Sequence, residues 1–183
     1  MKKIFFAVVL WSYSICGIFA AEFMGVNSPD TVKIKDTNLI LNGMGLRKKV
    51  VFNVYVASLY LENKNKDANT VIKSKENKIV ELSFLRSVSG KTIAEAIEES
   101  FKKNAPDFNS LKERLNIFKS YIPDLKKKDL VRFIFAKNEI LEVYYNGEKK
   151  GEIKGSDFCE TLLNVWLGEK PADENLKKGM LGL

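Results

Sequence analysis

The stretch that decides the fold of this chain is LNGMGLRKKVVFNVYVASLYLE, residues 41–62. It leads from a Gly-x-Gly-x-Arg segment into a long run of residues that favour β-strands. Apolar side chains fill both alternate sets of positions in that run, Val51, Tyr55, Ala57, Leu59 and Leu61 in one set and Phe52, Val54, Val56 and Tyr60 in the other. Because successive side chains of a strand point to opposite faces, the pattern predicts a strand that is covered on both faces.

The segments around this strand predict an α+β domain in which helices back an antiparallel sheet. Strands are predicted over residues 31–34, 38–46, 50–62, 79–86, 130–136, 140–145 and 148–153, with Asn146-Gly147 as a hairpin turn. Helices are predicted over residues 67–74, 92–105, 108–122, 157–168 and 172–178. Strands and helices are grouped rather than strictly alternating, which favours an antiparallel sheet over a parallel one.

Two of the predicted helices begin with a recognisable capping pattern. Thr92 is followed three residues later by Glu95, and Asp157 is followed three residues later by Glu160. This spacing is typical of a capping box, in which the first side chain accepts a hydrogen bond from a free backbone N–H group. We therefore expect Thr92 and Asp157 to be N-cap residues.

The first twenty residues have the pattern of a secretory signal peptide. Lys2 and Lys3 form the charged start, residues 4–19 form the apolar core, and Ala20 or Ala21 closes the cleavage site. We expect residues 1–20 to be removed from an exported protein, with an uncleaved membrane anchor as the alternative. Residues 21–183 fit a single domain, and no later segment reaches the roughly 18 apolar residues of a membrane span.

Charge and cysteine content indicate which partners and which disulfides the chain can have. Removal of residues 1–20 takes away Lys2, Lys3 and Cys16, so the formal net charge falls from +7 to +5 and Cys159 has no possible disulfide partner in the remaining chain. We expect Cys159 to be a small buried apolar residue on a helix. The lysines are scattered and no aromatic residues alternate with them, which argues against a nucleic-acid partner. Attraction to anionic membrane surfaces is the alternative to a simply solvated basic surface.

Three blocks of sequence, in order, resemble the chalcone isomerase-like proteins, in particular their bacterial exported branch. The first block contains Gly43, Gly45 and Arg47 followed by the strand, and the others are residues 81–104 and 155–182. The resemblance implies an open-faced β-sandwich, in which a large sheet is backed by helices and a ligand cleft lies between them. It also implies an exported protein that resides in the periplasm.

The composition excludes several kinds of catalytic site. The chain contains no histidine, which excludes histidine-based acid-base catalysis, Ser-His and Cys-His nucleophiles, and zinc sites that need imidazole. Gly43 and Gly45 are followed by a predicted strand, whereas a phosphate-binding loop needs the N-terminus of a helix. Acidic residues do not cluster at metal-ligand spacing. We therefore expect neither a metal nor another cofactor.

Arg47 and Tyr55 are the best candidates for a binding site. A guanidinium group and a phenol together can hold a carboxylate or phenolate through charge-assisted hydrogen bonds. In fatty-acid-binding relatives an arginine and a tyrosine at the matching positions hold the lipid carboxylate, so the resemblance implies this role here. Asn53 and Arg86 are weaker candidates. The structural alternative is that Arg47 pairs with a nearby carboxylate or loop carbonyl and that Tyr55 is a core aromatic residue.

The resemblance does not extend to the residues of true chalcone isomerases. Those enzymes carry a threonine on the central strand, where this chain has Tyr55, and a tyrosine and an asparagine on the helix after a Thr-Gly turn. Here the turn is Ser89-Gly90, and the matching helix positions are Ile93 and Ser100. We therefore expect no flavonoid ring closure.

Three functional hypotheses follow from these residues. The first is a non-catalytic exported binder of a fatty acid or a similar amphipathic carboxylate. The second is an isomerase or lyase acting on an enone or phenolic acid, in which Arg47 stabilises an enolate and Tyr55 moves a proton. The third is a cell-envelope protein whose apolar cleft holds a segment of a protein partner.

Overall fold

A curled antiparallel sheet of seven strands forms the centre of the computed structural model, which describes residues 20–183. The strands are β1 (Ala20–Phe23), β2 (Val26–Pro29), β3 (Thr31–Ile34), β4 (Thr37–Lys49), β5 (Phe52–Leu61), β6 (Lys78–Phe84), β7 (Leu130–Ala136), β8 (Ile140–Tyr145) and β9 (Glu148–Lys154). Strands β3 to β9 follow one another across the sheet in chain order, and β1 and β2 form a separate hairpin. The helices are α1 (Ala68–Lys73), α2 (Gly90–Asn104), α3 (Phe108–Ser120), α4 (Ser156–Leu167) and α5 (Glu174–Leu181).

This architecture confirms the predicted α+β class and the antiparallel sheet. The Asn146-Gly147 turn is confirmed as well, since both residues have positive φ, 48° and 85°, as a two-residue hairpin loop requires. The predicted signal peptide lies outside the described residues, apart from its last position. No described helix is both long enough and apolar enough to cross a membrane.

The central strand β5 is covered on both faces between residues 55 and 61, as the sequence predicts. Tyr55, Ala57 and Leu59 lie in the main hydrophobic core, whereas Tyr60 lies in a smaller cluster with Leu39, Leu41 and Ile79. The prediction is wrong at the start of the run. Val51 is 79% exposed and Phe52 is 55% exposed, because the β4–β5 turn projects beyond the elements that cover the rest of the hairpin.

A β-bulge changes the alternation of side chains near the start of β5. Arg47 of β4 is opposite Tyr55, but the next residue, Lys48, is opposite Asn53, so Val54 is an extra residue in β5. Simple alternation places Val54 and Tyr55 on opposite faces, and the bulge overturns that expectation. Val54 packs against the main core, to which Tyr55 also belongs.

The glycines of the Gly-x-Gly-x-Arg segment belong to strand β4, and they bring α5 into direct contact with the sheet. A Cβ atom at Gly43 or Gly45 would approach the backbone of α5 closer than 3.0 Å, and one at Gly179 of α5 would meet the backbone of β4 equally closely. The residues that match the family pattern therefore permit backbone-to-backbone packing. This contact fixes the position of Asp173, the N-cap of α5.

Both predicted N-caps are wrong. Helix α2 begins two residues before Thr92, and Ser89 is its N-cap, with its hydroxyl oxygen accepting from the Thr92 N–H at 3.2 Å. Ser89 and Thr92 are both suitable capping residues, but Ser89 has the extended backbone that the position needs. Helix α4 has Gly155 at its N-cap, and Asp157 lies inside the first turn, where it pairs with Arg114.

Cys159 is buried in the main core, as predicted, with 8% of its surface exposed. Burial raises the pKa of its thiol to about 12, so the neutral form prevails at physiological pH. A neutral buried thiol packs as a small apolar residue.

Candidate ligand-binding cleft

A cleft of about 730 Å³ lies on the side of the sheet that carries the main core. It is bounded by the start of β5, the segment after β6, helix α2, the end of α4 and the segment that leads into α5. This volume is in the range of small-molecule sites. The apolar part of its lining includes Val54, Leu82, Val88, Ile93, Ile97 and Trp166.

The charged side chains that line the cleft are mostly basic. Among the described lining residues, the only carboxylate is that of Glu99, and it is paired with Lys103 at 2.6 Å. The basic lining residues are Arg47, Lys49, Arg86, Lys103 and Lys170. Because they surround an apolar interior, the cleft suits a molecule with an acidic group and an apolar body.

Arg47 lies at this cleft with a quarter of its side chain exposed. Its Nη1 donates to the carbonyl oxygen of Lys48 and to a carboxylate oxygen of Asp173, the latter at 3.4 Å. The structural alternative named above, a carboxylate and a carbonyl as partners, is therefore present. Both bonds leave from Nη1, so Nη2 and Nε have no hydrogen-bond partner among the described residues. A guanidinium group has five N–H donors, which leaves Arg47 able to bind a further acid.

Tyr55 is directly opposite Arg47 in the pairing of β4 with β5. Its ring is buried, and its hydroxyl oxygen accepts a hydrogen bond from Nε1 of Trp166 at 3.2 Å. The hydroxyl proton remains available for donation. Burial raises the pKa of Tyr55, while the bond from Trp166 and the charge of Arg47 act in the opposite direction. The phenol is therefore neutral at physiological pH and can donate a hydrogen bond to a ligand.

Arg86 and Asn53 occupy different surroundings. Arg86 lines the cleft, and its guanidinium carbon lies 4.3 Å from the centroid of the Phe52 ring. Asn53 does not line the cleft; it lies near the exposed start of β5, opposite Lys48. The structure therefore brings Arg47, Tyr55 and Arg86 to one cleft and leaves Asn53 outside it.

The helix positions that distinguish true chalcone isomerases also line the cleft. Ile93 and Ser100 are both part of α2 and both face the cavity. Ile93 offers no polar group, and the hydroxyl of Ser100 accepts from Nδ2 of Asn104 at 3.2 Å. The position matched by a phenol in the isomerases is thus apolar here.

Several residues of the cleft were missed in the sequence. Trp166 lies in the helix predicted over residues 157–168 and belongs to no site motif, although its indole N–H donates to the Tyr55 hydroxyl. Lys49, Lys103 and Lys170 belong to three separate segments and have no local motif that would identify them. A signal for Trp166 exists in principle, because a buried indole needs a hydrogen-bond acceptor. Groups of three or more potential metal ligands do not occur within residues 20–183.

Comparison with known proteins agrees with this architecture. Residues 20–182 match the family model described as chalcone isomerase-like. The structure is similar to the crystal structure of a fatty-acid binding protein from Arabidopsis thaliana, with a TM-score of 0.76 and 18% sequence identity over 89% of this chain and 96% of that one. At this identity the similarity establishes the fold. No curated protein has a significantly similar sequence.

Proposed function

The chain belongs to the chalcone isomerase-like family, and on that basis we propose that it binds a fatty acid or a similar amphipathic carboxylate without transforming it. The observation that carries the proposal is the combination of an apolar cavity of about 730 Å³ with five basic side chains and one paired carboxylate in its lining. The Arabidopsis protein of the same fold is a fatty-acid binding protein, which supports this proposal.

The two parts of such a ligand contribute differently to binding. Each methylene group that leaves water for the apolar lining contributes about 0.8 kcal/mol. Each hydrogen bond between Arg47 and a carboxylate contributes about 1.5–3 kcal/mol. The tail therefore dominates affinity, whereas Arg47 and the Tyr55 hydroxyl select an acidic head group and fix its orientation.

The proposal includes the place where binding occurs. We propose that the protein acts outside the cytoplasm, in the periplasm, because its first twenty residues have the pattern of a signal peptide. N-terminal sequencing of the chain recovered from the periplasmic fraction of expressing cells tests this part. A chain that retains residues 1–20 and remains with the membrane would contradict it.

The binding proposal is tested by native purification, solvent extraction and mass spectrometry of the extracted acids. We expect a fatty or aromatic acid near one equivalent per chain in the parent protein and a large loss in an Arg47→Ala variant. Arg114→Ala is the matched control, because Arg114 also pairs with a carboxylate, that of Asp157, but does not line the cleft. Equal acid content in all three folded proteins would overturn the role of Arg47.

The enzymatic alternative requires Tyr55 to transfer a proton. A tyrosine that accepts a proton from a substrate needs a lowered pKa, whereas burial raises the pKa of Tyr55. Tyr55 is therefore poorly suited to act as a general base, whereas its neutral hydroxyl suits a hydrogen bond to a bound acid. Turnover of an enone or phenolic acid that disappears in a folded Tyr55→Phe variant would replace the binding proposal with the enzymatic one. Stoichiometric co-purification of one envelope protein would favour the partner-binding alternative.

A further inference from the structure

The turn between β4 and β5 carries three consecutive exposed apolar residues, which we call the β4–β5 tip. Val50 is 89% exposed, Val51 is 79% exposed and Phe52 is 55% exposed. Among the described residues, the other exposed large apolar side chains, on different segments, are less exposed than Val50 and Val51. A single exposed apolar side chain needs no explanation, but a continuous group of three at the end of a hairpin indicates a contact surface.

The backbone of the β4–β5 tip shows that its side chains are not required by the turn itself. Val50 has φ of 57°, in the left-handed region that a β-branched residue rarely adopts. A two-residue hairpin loop with positive φ at its first position ordinarily has glycine there. Valine therefore strains the turn and gains almost no packing, since its side chain is exposed. A strained, exposed apolar residue is better explained by a contact made outside the chain.

The charges around the β4–β5 tip indicate the chemistry of its partner. Lys48 and Lys49 are exposed and directly precede the tip, and the exposed Arg86 lies against the ring of Phe52. Lys103 and Lys170 are exposed further along the lining of the same cleft. An apolar tip bordered by basic side chains matches the interface of an anionic bilayer, where apolar groups enter beneath negatively charged head groups.

The size of the apolar surface argues against a protein as the partner. Three side chains at the end of one hairpin fall far short of the roughly 800 Å² per partner that a stable protein interface buries. Insertion into a bilayer needs no such area, because apolar burial and attraction between lysines and lipid head groups both contribute.

We infer that the β4–β5 tip docks the protein on anionic lipid bilayers and places the opening of the cleft at the bilayer surface. The tip and the cleft are adjacent, since Lys49, Val50 and Phe52 also line the cavity. Docking extends the proposed function, because it gives the source from which an amphipathic acid is collected or to which it is delivered. It does not depend on that function, since the tip can bind a bilayer whether or not the cleft is filled.

The test is a sedimentation assay with vesicles of phosphatidylcholine alone and vesicles of phosphatidylcholine and phosphatidylglycerol in equal parts. The protein is purified from expressing cells, and its N-terminus is identified by mass spectrometry and must be the same in every variant. We expect the parent to bind the anionic vesicles and to be released by high salt. Equal binding to both kinds of vesicle would overturn the inference.

Variants at the β4–β5 tip, with matched controls elsewhere on the surface, test whether the tip itself contacts the bilayer. Val51→Asp should weaken binding to anionic vesicles about tenfold or more, because Val51 no longer enters the bilayer. Lys48→Gln should weaken it about fivefold. The matched controls are Ile117→Asp on α3 and Lys127→Gln, which change an exposed apolar residue and an exposed lysine that do not line the cleft. Loss of binding in the controls equal to that in the tip variants would overturn the inference.

Two further measurements distinguish bilayer binding from acid binding and from self-association. Val51 and Lys48 do not line the cleft, so their variants should retain whatever acid the parent retains. Arg47→Ala should lose the acid but still bind vesicles, which distinguishes failure of the binding proposal from failure of the docking inference. A parent mass that doubles with concentration and returns to one chain in Val51→Asp would assign the tip to a second copy of the protein and overturn docking on lipid.

Discussion

The two ends of the β4–β5 hairpin differ in what covers them. At one end Gly43 and Gly45 lie against the backbone of α5, and Leu59 is fully buried beside them. At the other end Arg47 and Tyr55 face a cavity, and the β4–β5 tip lies in solvent. One pair of strands therefore serves two purposes: its closed end anchors the fold, and its open end presents the groups that meet a ligand. Stability and binding should respond to changes at different ends.

The largest effect should come from the closed end. Gly45→Ala places a Cβ atom closer than 3.0 Å to the backbone of Leu176, and a backbone cannot move aside as a flexible side chain can. We expect the free energy of unfolding to fall by about 3 kcal/mol or more, beyond the usual range for overpacking. Urea denaturation measures it. A change below 1 kcal/mol would show that α5 is not held against β4 as described.

Arg47→Ala at the open end should reduce ligand affinity strongly and change stability little. We expect acid affinity to fall at least tenfold, because charge-assisted hydrogen bonds are worth about 1.5–3 kcal/mol each. We expect the free energy of unfolding to change by less than about 1 kcal/mol, because the ion pair with Asp173 is partly exposed. Calorimetric titration and urea denaturation of the same preparation give both values. A large loss of stability with unchanged affinity would make Arg47 a structural residue and remove the contrast between the ends.

Val50→Gly should stabilise the open end of the hairpin, in contrast to Gly45→Ala at the closed end. Glycine adopts positive φ without the cost of roughly 1–2 kcal/mol that a left-handed conformation imposes on other residues. Its greater entropy in the unfolded chain offsets part of this gain, so we expect a rise in the free energy of unfolding of about 0.5–1 kcal/mol. The midpoint of urea denaturation measures it. A loss of stability would mean that the Val50 side chain is packed in the folded protein.

The smallest expected effect concerns the carboxylate that competes for Arg47. Asp173→Asn removes the negative charge near Arg47 but keeps a side-chain oxygen for the N-cap bonds to Asn175 and Leu176. We expect acid affinity to rise by about threefold, since a partly exposed ion pair contributes up to about 1 kcal/mol. Calorimetric titration beside Arg47→Ala measures the change. Weaker binding would indicate that Asp173 positions Arg47 rather than competing for it.

The elements of the sheet could be predicted from the sequence because their signals are local. The alternating strands β7 and β8 and the Asn-Gly turn between β8 and β9 are found within a residue of the predicted positions. Arg47 and Tyr55 could also be paired, because they lie on neighbouring strands joined by a short turn. Helix starts were less certain, since Ser89 and Thr92 are both good caps and only the backbone conformation distinguishes them.

The features that could not be predicted depend on distant parts of the chain. Asp173 reaches Arg47 only because α5 packs on two glycines more than a hundred residues earlier in the sequence. Lys49, Lys103 and Lys170 meet at one cleft only after the sheet, α2 and α4 have assembled. The bulge at Val54 leaves no pattern in a run where apolar side chains occupy both alternate sets of positions. Each is a property of the assembled fold, and no short window of sequence contains it.

The contact between α5 and β4 also limits which parts of the folded protein can move. Because the backbones of Gly45 and Gly179 touch, α5 cannot swing away from the sheet as a hinged flap without exposing the core residues Leu176 and Met180. A molecule that reaches the cavity past the β4–β5 tip, where Val50 and Phe52 are exposed and line the cavity, needs no movement of α5. This entrance and the surface proposed for bilayer contact are on the same side of the molecule. A lipid can therefore pass between the bilayer and the cavity without entering bulk water.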